Sequence, residues 1–135
     1  MTEPIVTFPD VERLVVDNLK NRPERAGVVV DNRPPAGFDG TQRVVLVSRM
    51  GGAWVDDERL DHALVDLEAY GPDKPAAHTV ANVARALVIG LRGTTYGGAV
   101  VVDLVEEDGP RWLPDYLHNG ASRYLSTVRL VIRPS

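Results

Sequence analysis

The chain has 135 residues, 44% of them hydrophobic, and a formal net charge of −4. That length and apolar content suit one globular domain and exclude a disordered chain, while the acidic balance gives no support to nucleic-acid binding. Cysteine is absent, which removes disulfide frameworks and thiolate chemistry and is compatible with a reducing compartment.

The opening Met1-Thr2-Glu3-Pro4 lacks the basic residues and apolar run of a secretion signal, and no apolar segment has the length to span a bilayer. The expectation is a protein of the cytosol, or one assembled there, with no membrane partner.

Pro9-Asp10-Val11-Glu12 reads as a helix start, because proline suits the entry and acids favour the positive end of the helix dipole. Val11, Leu14, Val15, Asn18 and Leu19 form a stripe at helical spacing, and Pro23 ends the helix near Asn21. Gly27 to Asp31 is a short β-rich run. Asn32 to Gly40 is a loop by composition. Arg43 to Arg49 predicts a strand apolar enough to be buried on both faces, broken by Met50-Gly51-Gly52-Ala53-Trp54. The acidic Asp56-Asp57-Glu58 follows.

The stretch from Leu60 to Arg92 organises the rest. Ala63, Val65, Leu67 and Ala69 alternate with His62, Leu64, Asp66, Glu68 and Tyr70, giving a strand with one apolar and one mixed face. After the turn at Gly71 to Pro75, Ala77, Val80, Ala84, Leu87 and Leu91 share one helical face, widened by Ala76, Val83 and Val88. Gly93 to Gly98 reads as a flexible turn and Ala99 to Glu106 as a fourth strand. A polar loop carries Glu107 to Asp115, Asn119-Gly120 is a turn, and Ser122 to Ile132 is a fifth strand. The order α-β-β-β-α-β-β predicts a single α+β domain over residues 1–135, with a mainly antiparallel sheet and two helices on one side.

Little here reads as chemistry. His62 and Asp66 share a strand face, a weak beginning for a metal site, and a solvated face is the favoured reading. Gly90, Gly93, Gly97 and Gly98 follow a helix and precede a strand, the wrong orientation for a phosphate loop. Their expected job is a helix C-cap and a turn. Gly51-Gly52 lacks dinucleotide spacing. The runs Asp56 to Glu58 and Glu106 to Asp108 carry the acids a divalent cation would need, though such runs are usually solvated. No nucleophile elbow is present. The expectation is no catalytic residue, no cofactor and no metal.

Contact surfaces are better represented. Ile89 falls on the side of the second helix that carries His78, Asn82 and Arg85, where a stray surface apolar residue is the default reading and a partner contact the alternative, and both tryptophans, Trp54 and Trp112, fall in predicted loops. Aromatic anchors are enriched at interfaces, although folding back over the domain's own core is an equal alternative for each.

The succession of Pro9-Asp10-Val11-Glu12, Val44 to Val47 with Ser48-Arg49-Met50-Gly51-Gly52, Val65-Asp66-Leu67-Glu68-Ala69-Tyr70-Gly71 before an alanine-rich helix, Trp112-Leu113-Pro114-Asp115, and Arg123-Tyr124 opening a strand that ends Val131-Ile132-Arg133-Pro134 resembles the tail terminator proteins of long-tailed bacteriophages with non-contractile tails, most closely those of actinobacterial phages. The resemblance covers nearly the whole chain, and the family shares the element order. It implies a non-enzymatic virion protein, a hexameric ring on the head-proximal end of the tail tube. Its partners would be further copies of itself, the major tail tube protein and a head-completion or connector protein. Genome DNA would pass through its lumen without specific binding. Under that reading Gly51, Gly52 and Trp54 of the Met50 to Glu58 loop, the Asn32 to Gly40 loop, and the stretch Arg111 to Tyr116, with Arg111, Trp112 and Asp115 foremost, are expected at axial contacts. His78, Asn82, Arg85 and Ile89 are expected between neighbours in the ring. Another head–tail joint protein, a small bacterial ligand-binding domain, and an enzyme using the acidic loops and His62 are the competing expectations.

Overall fold

The computed structural model describes residues 5–55 and 59–134. Among them are two α-helices, α1 (Val11–Lys20) and α2 (Lys74–Ile89). The strands are β1 (Val29–Asp31), β2 (Val44–Val55), β3 (Leu60–Gly71), β4 (Thr95–Tyr96), β5 (Ala99–Trp112) and β6 (Ser122–Arg133). They form one sheet in the order β1-β2-β3-β6-β5-β4, parallel only between β1 and β2. The chain is thus an α+β domain with a mostly antiparallel, curled sheet.

Each helix starts where its cap residue dictates. The Asp10 carboxylate accepts from the backbone N–H of Glu12 and Arg13, and Asp73 accepts from Ala76 N–H with Pro75 in the first turn. Both helices press their apolar faces onto the same side of the sheet. Leu14, Val15 and Leu19 of α1 meet Val80, Ala84 and Val88 of α2 over Val45, Val65, Leu67 and Leu130. Val16 and Ala81 are buried as well, so each apolar face is wider than the predicted stripe. Asn18, placed in that stripe by its spacing, instead donates its amide to the Leu14 carbonyl.

The other face of the sheet carries a smaller cluster of Val44, Leu46 and Tyr70, covered by Phe38 and Ala121. The Asn32 to Gly40 loop is therefore partly a cover for the sheet. Gly40 makes this possible: it has φ +88°, and a Cβ there would lie 2.4 Å from the Ala121 methyl.

Two strands run further than their composition predicts. Met50 to Trp54 does not break β2, which continues to Val55 through a bulge between Arg49 and Gly51. Glu107 to Trp112 is not a loop but the second half of β5, which absorbs three register shifts. Both halves lie on borders of the sheet, where Gly51, Gly52 and Pro110 leave no second ladder incomplete. Both tryptophans therefore stand on strands. The predicted flexible turn at Gly93 to Gly98 contains β4, whose Tyr96 hydroxyl donates to Asp17 of α1 at 2.5 Å. That hydrogen bond is the main reason the Asp17 carboxyl is held below the usual range.

The β2 bulge is held from two sides. Glu12 accepts the Arg49 N–H at 2.7 Å, and the Arg49 guanidinium grips the buried Asp61 carboxylate in a two-pronged contact at 2.7 and 2.8 Å. Arg49→Met strands that carboxylate. Because the arginine is itself partly in water, the expected loss of unfolding free energy is below that of a fully buried pair, about 2 kcal/mol, measurable by urea denaturation.

Candidate functional site

The predicted contact residues divide between two ends of the sheet and one helix face. At one end, β5 and β6 are joined by residues 113–121, which include a 3₁₀ turn over Tyr116–His118. Asp115 organises this segment. Its backbone pairs with Ala121, and its side chain accepts from Leu117 N–H at 3.1 Å and from the Tyr70 hydroxyl at 2.7 Å. His118 Nδ1 lies 2.7 Å from the same carboxylate, and the Phe38 ring stands edge-on against both Tyr70 and His118. Burial pushes the Asp115 carboxyl up, but the hydrogen bonds from Tyr70 and His118 outweigh it and hold the group below the ordinary range. Burial, and then the bond to Asp115, drive the Tyr70 hydroxyl far above the ordinary tyrosine value.

Asp115, one of the residues expected at an axial contact, is only 5% exposed, its side chain turned inward. The turn it fixes holds Tyr116 82% exposed and Leu117 93% exposed, with Leu113 also out. The expected axial stretch stopped at Tyr116, one residue short of the most exposed of these. Its signal was available: two large apolar residues between Pro114-Asp115 and Asn119-Gly120, too few for a helix or strand of their own.

Trp112 sits beside this turn. Its ring meets Tyr124 at 5.4 Å, Tyr124 meets His78 at 5.2 Å, and Lys74 Nζ lies 4.7 Å from the Trp112 ring centre. The fold thus joins an expected axial residue to an expected lateral one. Further along α2, Asn82 lies 3.4 Å from His78 Nδ1, and Arg85 pairs with Glu106 at 2.7 Å. Ile89 is 45% exposed. His78, Asn82, Arg85 and Ile89 do share one outward helix face, although Arg85 is engaged by β5.

The opposite end carries Gly51, Gly52 and Trp54. Trp54 is 49% exposed, its ring edge-on to Phe8 at 5.2 Å, and Met50 is exposed nearby in sequence. Gly52 has φ +97°, and a Cβ there would meet the His62 carbonyl oxygen at 1.8 Å, so the two strands approach where no side chain fits. Trp54 is on the Asp61 rung of β3 and Trp112, through Tyr124, on the Ala69 rung. At about 3.3 Å per residue those rungs are roughly 25 Å apart.

The acidic run 106–108 does not converge on a cation. Glu106 pairs with Arg85, Glu107 with Arg129 at 3.1 Å, and Asp108 with Arg111. Asp66 is occupied by the Thr127 hydroxyl at 2.6 Å. Among the described residues no group of three metal-ligating side chains comes together. Asp56-Asp57-Glu58 lies outside the described residues. Glu68 has its carboxyl raised by burial, against the pull of Arg123, and stands 3.4 Å from that arginine. An apolar hollow of about 180 Å³ lies between the 3₁₀ turn Pro23–Arg25 and α2. The chain matches no protein-family model, and no curated protein matches it.

Proposed function

We propose that this chain is a structural virion protein whose copies form a ring, a hexamer by the pattern of the family it resembles, on the head-proximal end of a phage tail tube. There it ends tube growth and offers the surface that joins the filled head. The observation that carries the reading is the pairing of two exposed apolar ends on one sheet, Trp54 with Met50 at one and Trp112, Tyr116 and Leu117 at the other. A growing tube is a head-to-tail stack, so each member needs two different axial surfaces. A terminator keeps the surface that fits the tube and replaces the one that would recruit another tube ring. The element order and the succession of motifs support the same reading. Its partners are then further copies of itself, the tail tube protein and a connector protein. The acidic balance suits a lumen through which DNA slides without sticking.

Electron microscopy of the purified chain, alone and mixed with tail tubes, tests this. Rings, or density at one tip of each tube, are expected. Solitary molecules that leave every tip bare overturn it. Trp54→Ser is expected to fold, since its ring is half in solvent and loses one edge contact worth about 1 kcal/mol, yet to lower tip occupancy severalfold in the same images.

The hollow beside α2 favours a second reading, a small ligand-binding domain. That reading requires a compound that raises the melting temperature saturably in the absence of tubes.

A further inference from the structure

Asn119 is the only one of the five asparagines that is followed by glycine. That pair carries a reaction of its own, because a glycine nitrogen has no side chain beside it to hinder its approach. The Gly120 nitrogen gives up its proton and attacks the Asn119 Cγ. An N–C bond closes a five-membered succinimide, the bond from Cγ to Nδ2 breaks, and the amide leaves as ammonia with a proton. Water then opens the ring at either carbonyl, leaving aspartate or isoaspartate at position 119. Water is the one co-reactant consumed.

The fold sets its geometry against that reaction. Asn119 stands in the left-handed region, with φ 56° and ψ 38°. Closure needs the Gly120 nitrogen on the same side of the Cα–C bond as the Asn119 Cβ, within reach of Cγ. At this ψ the nitrogen points almost directly away from Cβ. The Gly120 N–H also donates to the Asp115 carbonyl at 3.0 Å, an acceptor shared with the His118 and Ala121 N–H groups. The nucleophile is turned away and its proton is held. Asn119 itself is exposed, so the restraint lies in the turn and not in burial. The turn is held in place by the Asp115 carboxylate, through Tyr70, His118 and the Leu117 N–H, and by the close approach of Gly40 to His118 and Ala121.

We infer that Asn119-Gly120 is a latent self-modification site, locked while the Asp115-centred turn is closed and released when it opens. The product forms two positions beyond Leu117. A new carboxylate, or the extra backbone carbon of isoaspartate, remakes the exposed Tyr116-Leu117 surface. Copies whose turn has stood open are thereby marked chemically. The inference is independent of whether copies form rings.

Wild type, wild type in urea, and Asp115→Ala are held in mildly alkaline buffer, the folded samples well below their melting points. Peptide mass spectrometry follows the exchange of amide for acid at each asparagine. Folded wild type is expected to react at Asn119 at least about tenfold more slowly than the urea-unfolded chain, as a local opening held mostly shut requires. Asp115→Ala, folded by circular dichroism, is expected to regain most of that rate, while Asn18, Asn21, Asn32 and Asn82 remain amides. Hydrogen exchange at the Gly120 amide of wild type is expected to be slowed by a similar factor, because one opening frees both. Folded wild type that reacts as fast as the unfolded chain overturns the lock. Folded Asp115→Ala that reacts no faster than wild type overturns the role of the Asp115-centred turn. If that variant does not fold, the wild-type rates with and without urea, set against Gly120 amide exchange, decide the matter alone.

Discussion

Asp115→Ala is expected to remove about 3 kcal/mol of unfolding free energy and to lower the melting temperature by roughly 10 °C. The loss has a specific origin. Tyr70 is fully covered, and its hydroxyl donates to this carboxylate from 45 positions away in the chain. Deleting the acceptor leaves a buried hydroxyl unmatched, frees the His118 ring, and undoes the Leu117 N–H cap of the 3₁₀ turn. Asp115→Asn separates charge from shape. It keeps the size but not the second charged acceptor, and it is expected to cost about half as much.

The same pair sets a pH signature. The Asp115 carboxyl titrates below its unfolded value, so the stability it supplies is complete above about pH 4 and is lost as pH falls through the depressed folded value. Tyr70 works in the opposite sense. Its folded value is raised, so its share is complete below about pH 10 and is lost as pH rises from there. Thermal melts across pH should show the acid limb flattened in Asp115→Asn and the alkaline limb flattened in Tyr70→Phe. Unchanged limbs in both variants would mean that the pair carries little of the stability.

Gly71→Ala is expected to cost 3 kcal/mol or more, on the order of the worst overpacking substitutions. Gly71 ends β3 and is buried where the chain turns into α2. A methyl group there would lie 2.6 Å from the Ala77 nitrogen, 2.9 Å from the Ala76 carbonyl carbon and 3.0 Å from the Ala77 Cα. All three are backbone atoms, so no side chain can rotate away. The first turn of α2 has to lift off β3, taking Ala77 and Val80 out of contact with Leu67 and Ala69. Urea denaturation and α2 amide exchange report the two consequences together. A variant with wild-type midpoint and protected α2 amides would contradict the packing described for this junction.

The centre of the fold was legible because two periods meet there. Strict alternation from Asp61 to Tyr70 and a helical repeat from Ala77 to Leu91 leave little choice of structure, and β3 and α2 fall where those patterns put them. The errors share a cause. Gly51-Gly52 and Gly109-Pro110 are breakers where a strand is paired on both sides, but here each stretch of strand has one free border. A bulge or a missing N–H costs little in that setting. Whether a strand has one neighbour or two is decided by distant parts of the chain. Asp115 shows the same limit at a single residue. Beside a proline, in a polar stretch, it reads as a solvated loop acid, and only Tyr70 makes it a buried one. Among the expected contact residues, the His78, Asn82, Arg85 and Ile89 face was legible from helical spacing. The meeting of His78 with Trp112 around Tyr124 was not, because it depends on which strand lies beside α2.

The irregular half of β5 bears on the behaviour of the protein at high concentration. Beyond β4 this border has its backbone turned outward, the kind of rail on which identical chains zip together into amyloid-like stacks. Three register shifts, the acids from Asp103 to Asp108 and a proline without an N–H give an incoming strand no continuous rail to follow. Crowded copies are thereby steered away from backbone-to-backbone accretion, leaving side-chain fit to govern how they meet.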